Sequence, residues 1–158
     1  MIEGKLSFLT SRCSFSVDGE SLGVLKYSYL RPKASFGGKE GDYLFFREKG
    51  FNGSFFLTNN ASFIATAQKP NDVGFKYEVQ FENRIYKLIP GDLFYERNAL
   101  HFVVLSDEQE LGVIAAVQRE IEIAVDPIFP ASVQVFMFWL SFISWIAETV
   151  SSQAHWCN

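Results

Sequence analysis

The residues best able to bind a charged ligand are four basic side chains that fall close together in the first quarter of the chain. Residues 21–39 contain no acid, and the basic residues within them are Lys26, Arg31, Lys33 and Lys39. Ammonium and guanidinium groups attract phosphorylated head groups and the anionic face of a membrane. This basic cluster is therefore a candidate phospholipid-binding site. Glu40 and Asp42 follow directly, and for that reason the favoured interpretation is an ordinary solvated loop beside a strand.

Other side chains have the chemistry of metal ligands but not the spacing of a metal site. The acidic run formed by Asp107, Glu108 and Glu110 could attract a hard cation, but it lacks the pattern of an EF-hand loop. His155 and Cys157 lie close together near the end of the chain, and two ligands do not complete a tetrahedral site. The sequence therefore predicts no metal site and no cofactor.

Catalytic motifs are missing from the sequence. There is no G-x-S-x-G nucleophile elbow, no C-x-x-C pair and no H-E-x-x-H. Gly38-Lys39 is followed by Glu40, where a P-loop requires Ser or Thr. We therefore nominate no catalytic residue, and the sequence favours a protein that is not an enzyme.

Charge and cysteine content narrow the class of partner and the compartment. The chain has 14 Lys+Arg against 18 Asp+Glu, and this net charge of −4 disfavours nucleic-acid binding, which depends on basic surface. Its two cysteines, Cys13 and Cys157, make no disulfide framework. The first residues lack the basic and apolar regions of a secretion signal. We expect a cytoplasmic protein with reduced thiols. Peripheral association with a membrane is compatible with that location.

An uncharged, strongly apolar segment at residues 131–147 must be positioned by the rest of the fold. Pro127 and Pro130 precede it, and proline is tolerated in a first helical turn. Its polar residues share one narrow stripe, namely Gln134, Ser141, Ser144 and Glu148. A helix that is apolar around most of its circumference is buried in protein or in lipid. The pattern predicts such a helix over about residues 131–148.

Length and flanking charge favour burial in protein over burial in lipid. A membrane span needs about 20 apolar residues and basic anchors. This segment is at the lower limit, and the last basic residue of the chain is Arg119. We expect an enclosed helix whose packing residues are Val135, Phe136, Phe138, Trp139, Phe142, Ile143 and Ile146. A tail-anchored membrane protein is the alternative.

The preceding residues have the pattern of short β-strands separated by turns. Alternation and turn signals predict about twelve strands, at 5–10, 14–17, 21–29, 43–47, 54–58, 62–68, 75–82, 84–89, 93–96, 100–105, 111–118 and 121–125. A closed barrel of about twelve strands leaves an interior that side chains alone would fill poorly. A helix about 10–12 Å in diameter would fill it. The predicted fold is therefore mainly β, a single domain over residues 1–158 in which a β-barrel encloses the C-terminal helix.

This order of elements resembles the tubby C-terminal fold, which is shared with plant LURP-one-related proteins and phospholipid scramblases. The resemblance rests on the hairpin GESLGVLKY, the strand pairs YEVQFENRIYKLIP and DEQELGVIAAVQ, and the closing VDPIFPASVQVFMFWLSFISWIA. It implies a helix running through the barrel. It also implies binding to phosphoinositide head groups through basic surface residues, as in tubby-type domains, or membrane association with calcium, as in scramblases.

Three functions follow as expectations. The first is a non-enzymatic binding or adaptor module whose partner is an anionic phospholipid surface or another protein. The second is a small-molecule carrier or enzyme with a cavity between helix and barrel wall. The third is the tail-anchored membrane protein.

Overall fold

A computed structural model describes residues 1–49, 53–60, 62–70 and 74–156, with the side chains of the last helix described as far as Thr149. The strands are β1 (Ile2–Ser7), β2 (Arg12–Val17), β3 (Glu20–Tyr27), β4 (Lys33–Gly38), β5 (Gly41–Arg47), β6 (Phe55–Asn59), β7 (Ser62–Gln68), β8 (Tyr77–Phe81), β9 (Arg84–Pro90), β10 (Leu100–Ser106), β11 (Gln109–Val117) and β12 (Glu120–Val125). The helices are α1 (Asp92–Arg97) and α2 (Ala131–Trp156).

The strands form a closed antiparallel barrel in which each strand pairs with its sequence neighbours. Closure comes from the pairing of the first strand with the last, β1 with β12, in the register Gly4 opposite Ile121. Side chains alternate between the interior and the outer wall, as the two-residue period of a strand requires. Gly4 faces inward, where a Cβ would lie 2.8 Å from Cδ1 of Phe15, so its lack of a side chain leaves room for that ring. The predicted twelve-stranded barrel is confirmed.

The strand count agrees because one predicted strand is absent and one observed strand was not predicted. Residues 93–96 were predicted as a strand but belong to α1, which ends at Asn98 in the left-handed conformation (φ 49°). No strand was predicted between residues 29 and 43, but Lys33–Gly38 forms β4, which ends in Gly37 and Gly38. Gly38 fits there because the backbone of β3 approaches closely: a Cβ on Gly38 would lie 2.0 Å from the carbonyl oxygen of Leu22. Tertiary contact thus overrides the local preference of both segments.

Helix α2 runs through the barrel, as predicted. Trp139 and Phe136 lie against Phe45 of β5, with ring centroids 5.7 and 5.5 Å from it. Phe138 lies 5.5 Å from Phe15 of β2. Of the predicted packing residues, those fully buried are Val135, Phe136, Phe138, Trp139 and Phe142. Ile143 and Ile146 are half-buried because they lie where the helix leaves the barrel.

Three residues of the polar stripe on α2, namely Gln134, Ser141 and Ser144, are buried and hydrogen-bonded inside the barrel. The Gln134 amide donates to the carbonyl of Phe129 (2.8 Å), and the Ser141 hydroxyl donates to the carbonyl of Met137 (2.9 Å). The Ser144 hydroxyl shares a 2.6 Å hydrogen bond with the hydroxyl of Tyr77 on β8. These bonds explain how a helix with polar residues is buried without leaving hydroxyl or amide groups unpaired.

Helix α2 extends eight residues beyond the predicted end at residue 148. The prediction followed the apolar pattern, whereas residues 149–156 contain no Gly or Pro that would end a helix. By length and composition, Ala131–Thr149 is the one helix of the described chain that could cross a membrane, and 67% of it is buried inside the protein.

Successive connections alternate between the two ends of the barrel. Helix α2 begins at one of them, the helix-entrance end, which also carries the β2–β3, β4–β5, β6–β7, β8–β9 and β10–β11 connections and residues 126–130. It leaves through the other, the helix-exit end, which carries the remaining six connections between strands. The hydrogen bond from Trp145 Nε1 to the carbonyl of Asn98 (2.9 Å) ties the helix to this second end.

Candidate functional site: the helix-exit end

The two ends of the barrel carry opposite charge. Among the described residues, the connections at the helix-entrance end contain six acids and one base: Asp18, Glu40, Glu82, Asp107, Glu108, Asp126 and Lys39. The described connections at the helix-exit end contain six bases and three acids: Arg31, Lys49, Lys69, Lys76, Arg97, Arg119, Glu48, Asp92 and Glu96. The described connections therefore carry a net charge of −5 at the helix-entrance end and +3 at the helix-exit end.

Three members of the predicted basic cluster lie at or near the helix-exit end. Arg31 is in the β3–β4 loop, and Lys33 is the first residue of β4. Lys26 is the next-to-last residue of β3 and faces outward, with Ser35 of β4 as its neighbour in register. The antiparallel pairing therefore brings Lys26, Arg31 and Lys33 to one edge of the barrel.

The fourth member, Lys39, does not belong to this group. It lies in the β4–β5 connection at the helix-entrance end, so the length of β4 separates it from Lys33. Its ammonium group is 3.2 Å from the carboxylate of Glu20. Lys39 is thus paired with a carboxylate at the opposite end of the barrel, in contrast to the predicted grouping of all four residues.

The structure adds Arg12 to the group. Arg12 begins β2 and is the register partner of Lys26 on β3. Arg12 was not part of the predicted cluster because it lies outside residues 21–39. Within the described part of the chain, no carboxylate lies within ion-pair distance of Arg12, Lys26, Arg31 or Lys33. We call these four residues the basic edge.

Two apolar loop tips project beside the basic edge. Leu9, in the β1–β2 turn, is 97% exposed, and Leu30, in the β3–β4 loop, is 95% exposed. Residue 9 was predicted to lie within a strand, but β1 ends at Ser7 and Ser11 takes a left-handed conformation (φ 54°) that turns the chain. Alternation around Leu6 and Phe8 gave no sign of this turn.

A tyrosine network holds these loops in place. Tyr27 donates from its hydroxyl to the carbonyl of Ser7 (3.3 Å) and shares a 2.9 Å hydrogen bond with the hydroxyl of Tyr29. Its ring packs edge-on against Phe142 of α2, at a centroid distance of 4.8 Å. Burial and the neighbouring Tyr29 hydroxyl raise the pKa of Tyr27 well above its ordinary value, so the Tyr27 hydroxyl keeps the proton that it donates.

The remaining candidate groups are not brought into one site. Among the residues whose side chains are described, no three His, Cys, Asp or Glu lie close enough together to hold a metal ion. The acidic run at residues 107–110 is at the opposite end from the basic edge. Cys13 is fully buried, and burial raises the pKa of its thiol to about 12, so it is not poised as a nucleophile. Cys157 and the side chain of His155 lie outside the described residues.

Comparison of the chain with protein-family models, with curated proteins and with solved structures yields no match in any of the three. The resemblance to the tubby-like superfamily thus rests on the order of elements and stays a prediction.

Proposed function

We propose that the protein is a non-enzymatic binding module that docks on anionic phospholipid surfaces through the helix-exit end of its barrel. The observation that supports this proposal most strongly is the basic edge itself. Arg12, Lys26, Arg31 and Lys33 share one edge, lack carboxylate partners within the described residues and lie opposite an acidic end. An anionic surface would attract the exit end and repel the entrance end, which fixes the orientation of docking.

The strength expected from charge alone is moderate. A basic side chain near an anionic membrane surface contributes about 1 kcal/mol. Three residues of the basic edge should therefore contribute about 3 kcal/mol, roughly a hundredfold in the partition coefficient. Binding through such charges weakens when salt shortens the Debye length. We therefore propose that the protein is cytoplasmic and binds membranes peripherally, with an affinity that falls as salt rises.

Vesicle flotation with charge-matched variants tests the proposal. The test variant combines Arg12→Gln, Arg31→Gln and Lys33→Gln at the exit end. The control variant combines Lys39→Gln, Arg84→Gln and Lys87→Gln, which removes the same charge from the entrance end and the far wall. All six side chains are exposed, so both variants should fold normally.

We expect the wild type and the control to float with vesicles containing phosphatidylserine but not with neutral vesicles. The test variant should bind roughly a hundredfold more weakly. Equal loss of binding in the two triple variants would indicate that only net charge matters and would contradict a defined docking edge. Failure of the wild type to float with anionic vesicles at low salt would remove the proposal.

A further inference from the structure

Leu9 and Leu30 project almost completely into solvent at neighbouring loop tips. Each is preceded by an aromatic side chain that is also exposed, Phe8 at 42% and Tyr29 at 48%. One exposed leucine needs no explanation, because much of any protein surface is apolar. Two at adjacent tips, each with an aromatic neighbour, form an apolar projection that water does not favour.

The β1–β2 turn and the β3–β4 loop are joined at their bases. The backbone N–H of Tyr27 donates to the carbonyl of Ser11 (3.1 Å), which links the end of β3 to the β1–β2 turn. The Tyr27 hydroxyl reaches back to the carbonyl of Ser7. The packing of Tyr27 on Phe142 then connects both loops to the buried helix. The two loops are therefore tied to each other and to the barrel at their bases.

Local hydrogen bonds fix the shape of the β3–β4 loop. The Ser28 hydroxyl accepts from the backbone N–H groups of Leu30 (3.2 Å) and Arg31 (3.3 Å). The N–H of Lys33 donates to the carbonyl of Arg31 (2.8 Å). A loop shaped in advance loses little conformational freedom on binding. Leu30 is thus held outward by the loop backbone.

We propose that Leu9 and Leu30 form a two-loop wedge that inserts into the interfacial region of an anionic bilayer. The inference rests on the proposed function, because the basic edge supplies the attraction that brings the tips to the surface. Arg12 and Lys33 begin the strands that follow the two loops, so the charges stand just behind the apolar tips. A bilayer has the complementary order, with an anionic layer above an apolar one.

Substitution of the tips should weaken insertion without changing electrostatic attraction. Burying one leucine side chain in apolar surroundings raises the partition coefficient by about a factor of ten or more. The variant Leu9→Ser/Leu30→Ser should therefore bind phosphatidylserine vesicles about a hundredfold more weakly than the wild type. Its dependence on salt should be unchanged. Ile85→Ser is the control, because Ile85 is 61% exposed on β9, which starts at the opposite end.

A fluorescent label reports insertion directly. Leu30→Cys and Ile85→Cys, each in a Cys157→Ser background, can be labelled with an environment-sensitive fluorophore. Cys13 is buried and stays protonated, so it should not react in the folded protein. Addition of phosphatidylserine vesicles should shift the emission of the label at position 30 to the blue and leave the label at position 85 unchanged.

The outcomes separate the inference from the proposed function. Full binding by Leu9→Ser/Leu30→Ser, with no blue shift at position 30, would overturn the wedge while leaving docking through the basic edge intact. A blue shift at both labelled positions would also overturn it, because insertion would not be specific to the exit end. Absence of wild-type binding at low salt would overturn both proposals.

Discussion

Replacing Trp139 by alanine should remove a large part of the stability of the fold, because this ring is the largest fully buried side chain. It is 0% exposed, and its centroid lies 5.7 Å from Phe45, 5.9 Å from Phe55 and 6.1 Å from Phe136. Truncation of a buried Trp to Ala costs about 3–5 kcal/mol through lost transfer energy and the cavity left behind. Three aromatic contacts place the expected loss in the upper half of that range.

The assay is thermal and urea unfolding followed by circular dichroism. For a chain of this size each kcal/mol lowers Tm by about 2–4 °C, so Trp139→Ala should melt roughly 8–20 °C below the wild type. Trp139→Phe keeps an aromatic ring and removes an N–H that has no hydrogen-bond partner among the described protein atoms. It should therefore lose clearly less stability than Trp139→Ala. Val117→Ala, at a 71% exposed position, should change Tm by only about 1–2 °C.

Substitution by a charge at the same place should be more severe. Trp139→Asp or Phe142→Asp would bury an unpaired carboxylate, and the whole stability of a domain is only about 5–15 kcal/mol. We expect these variants to be unfolded. A Trp139→Ala protein that melts with the wild type, or a folded Trp139→Asp protein, would refute the reasoning that α2 is the core of the barrel.

Three further predictions concern the buried side chains of Tyr77, Ser144 and Cys13. Tyr77→Phe leaves the buried Ser144 hydroxyl without its 2.6 Å partner and should lower the free energy of unfolding in urea by about 1–2 kcal/mol. Adding Ser144→Ala should recover part of that loss, because the unpaired hydroxyl is removed. A double variant no more stable than Tyr77→Phe would contradict the pairing. Burial raises the pKa of Cys13 from 9.0 to about 12, so the folded state holds a proton that the unfolded chain releases above about pH 9. The free energy of unfolding should therefore fall as pH rises above 9, and Cys13→Ala should flatten that slope. In a Cys157→Ser background, Cys13 should react with a thiol reagent at pH 8 only after unfolding, and rapid reaction of the native protein would contradict its burial.

The architecture could be predicted from the sequence because two signals are local. Alternation in residues such as Tyr77, Val79 and Phe81 assigns an inner and an outer face to a strand without knowledge of the fold. The uncharged run at residues 131–147 requires enclosure wherever it lies. Together these signals predict strands that surround a helix.

The errors came from segments whose conformation depends on distant contacts. Gly38 is a poor strand residue by itself, and its place in β4 follows from the close approach of the β3 backbone, which leaves no room for a Cβ. Phe94 suggested a strand by its apolarity, but in α1 it packs on Phe102 of β10, at a centroid distance of 5.3 Å. Neither contact has a local signature.

The candidate site was only partly visible for a related reason. The four basic residues of residues 21–39 are close in sequence, but β4 carries Lys39 to the opposite end of the barrel. Arg12 joins the others only through the β2–β3 register. Because successive turns lie at alternate ends of the barrel, grouping every second turn would have separated the acidic end from the basic end. That grouping requires every strand to be assigned correctly.

Hydrogen exchange of the protein bound to phosphatidylserine vesicles tests docking through the helix-exit end most directly. The account predicts that binding slows exchange of backbone amides at residues 8–11 and 28–33, and leaves the turns at residues 82–83 and 107–108 unchanged. Slower exchange at the acidic turns, or on the outer wall with no change at residues 8–11 and 28–33, would contradict it.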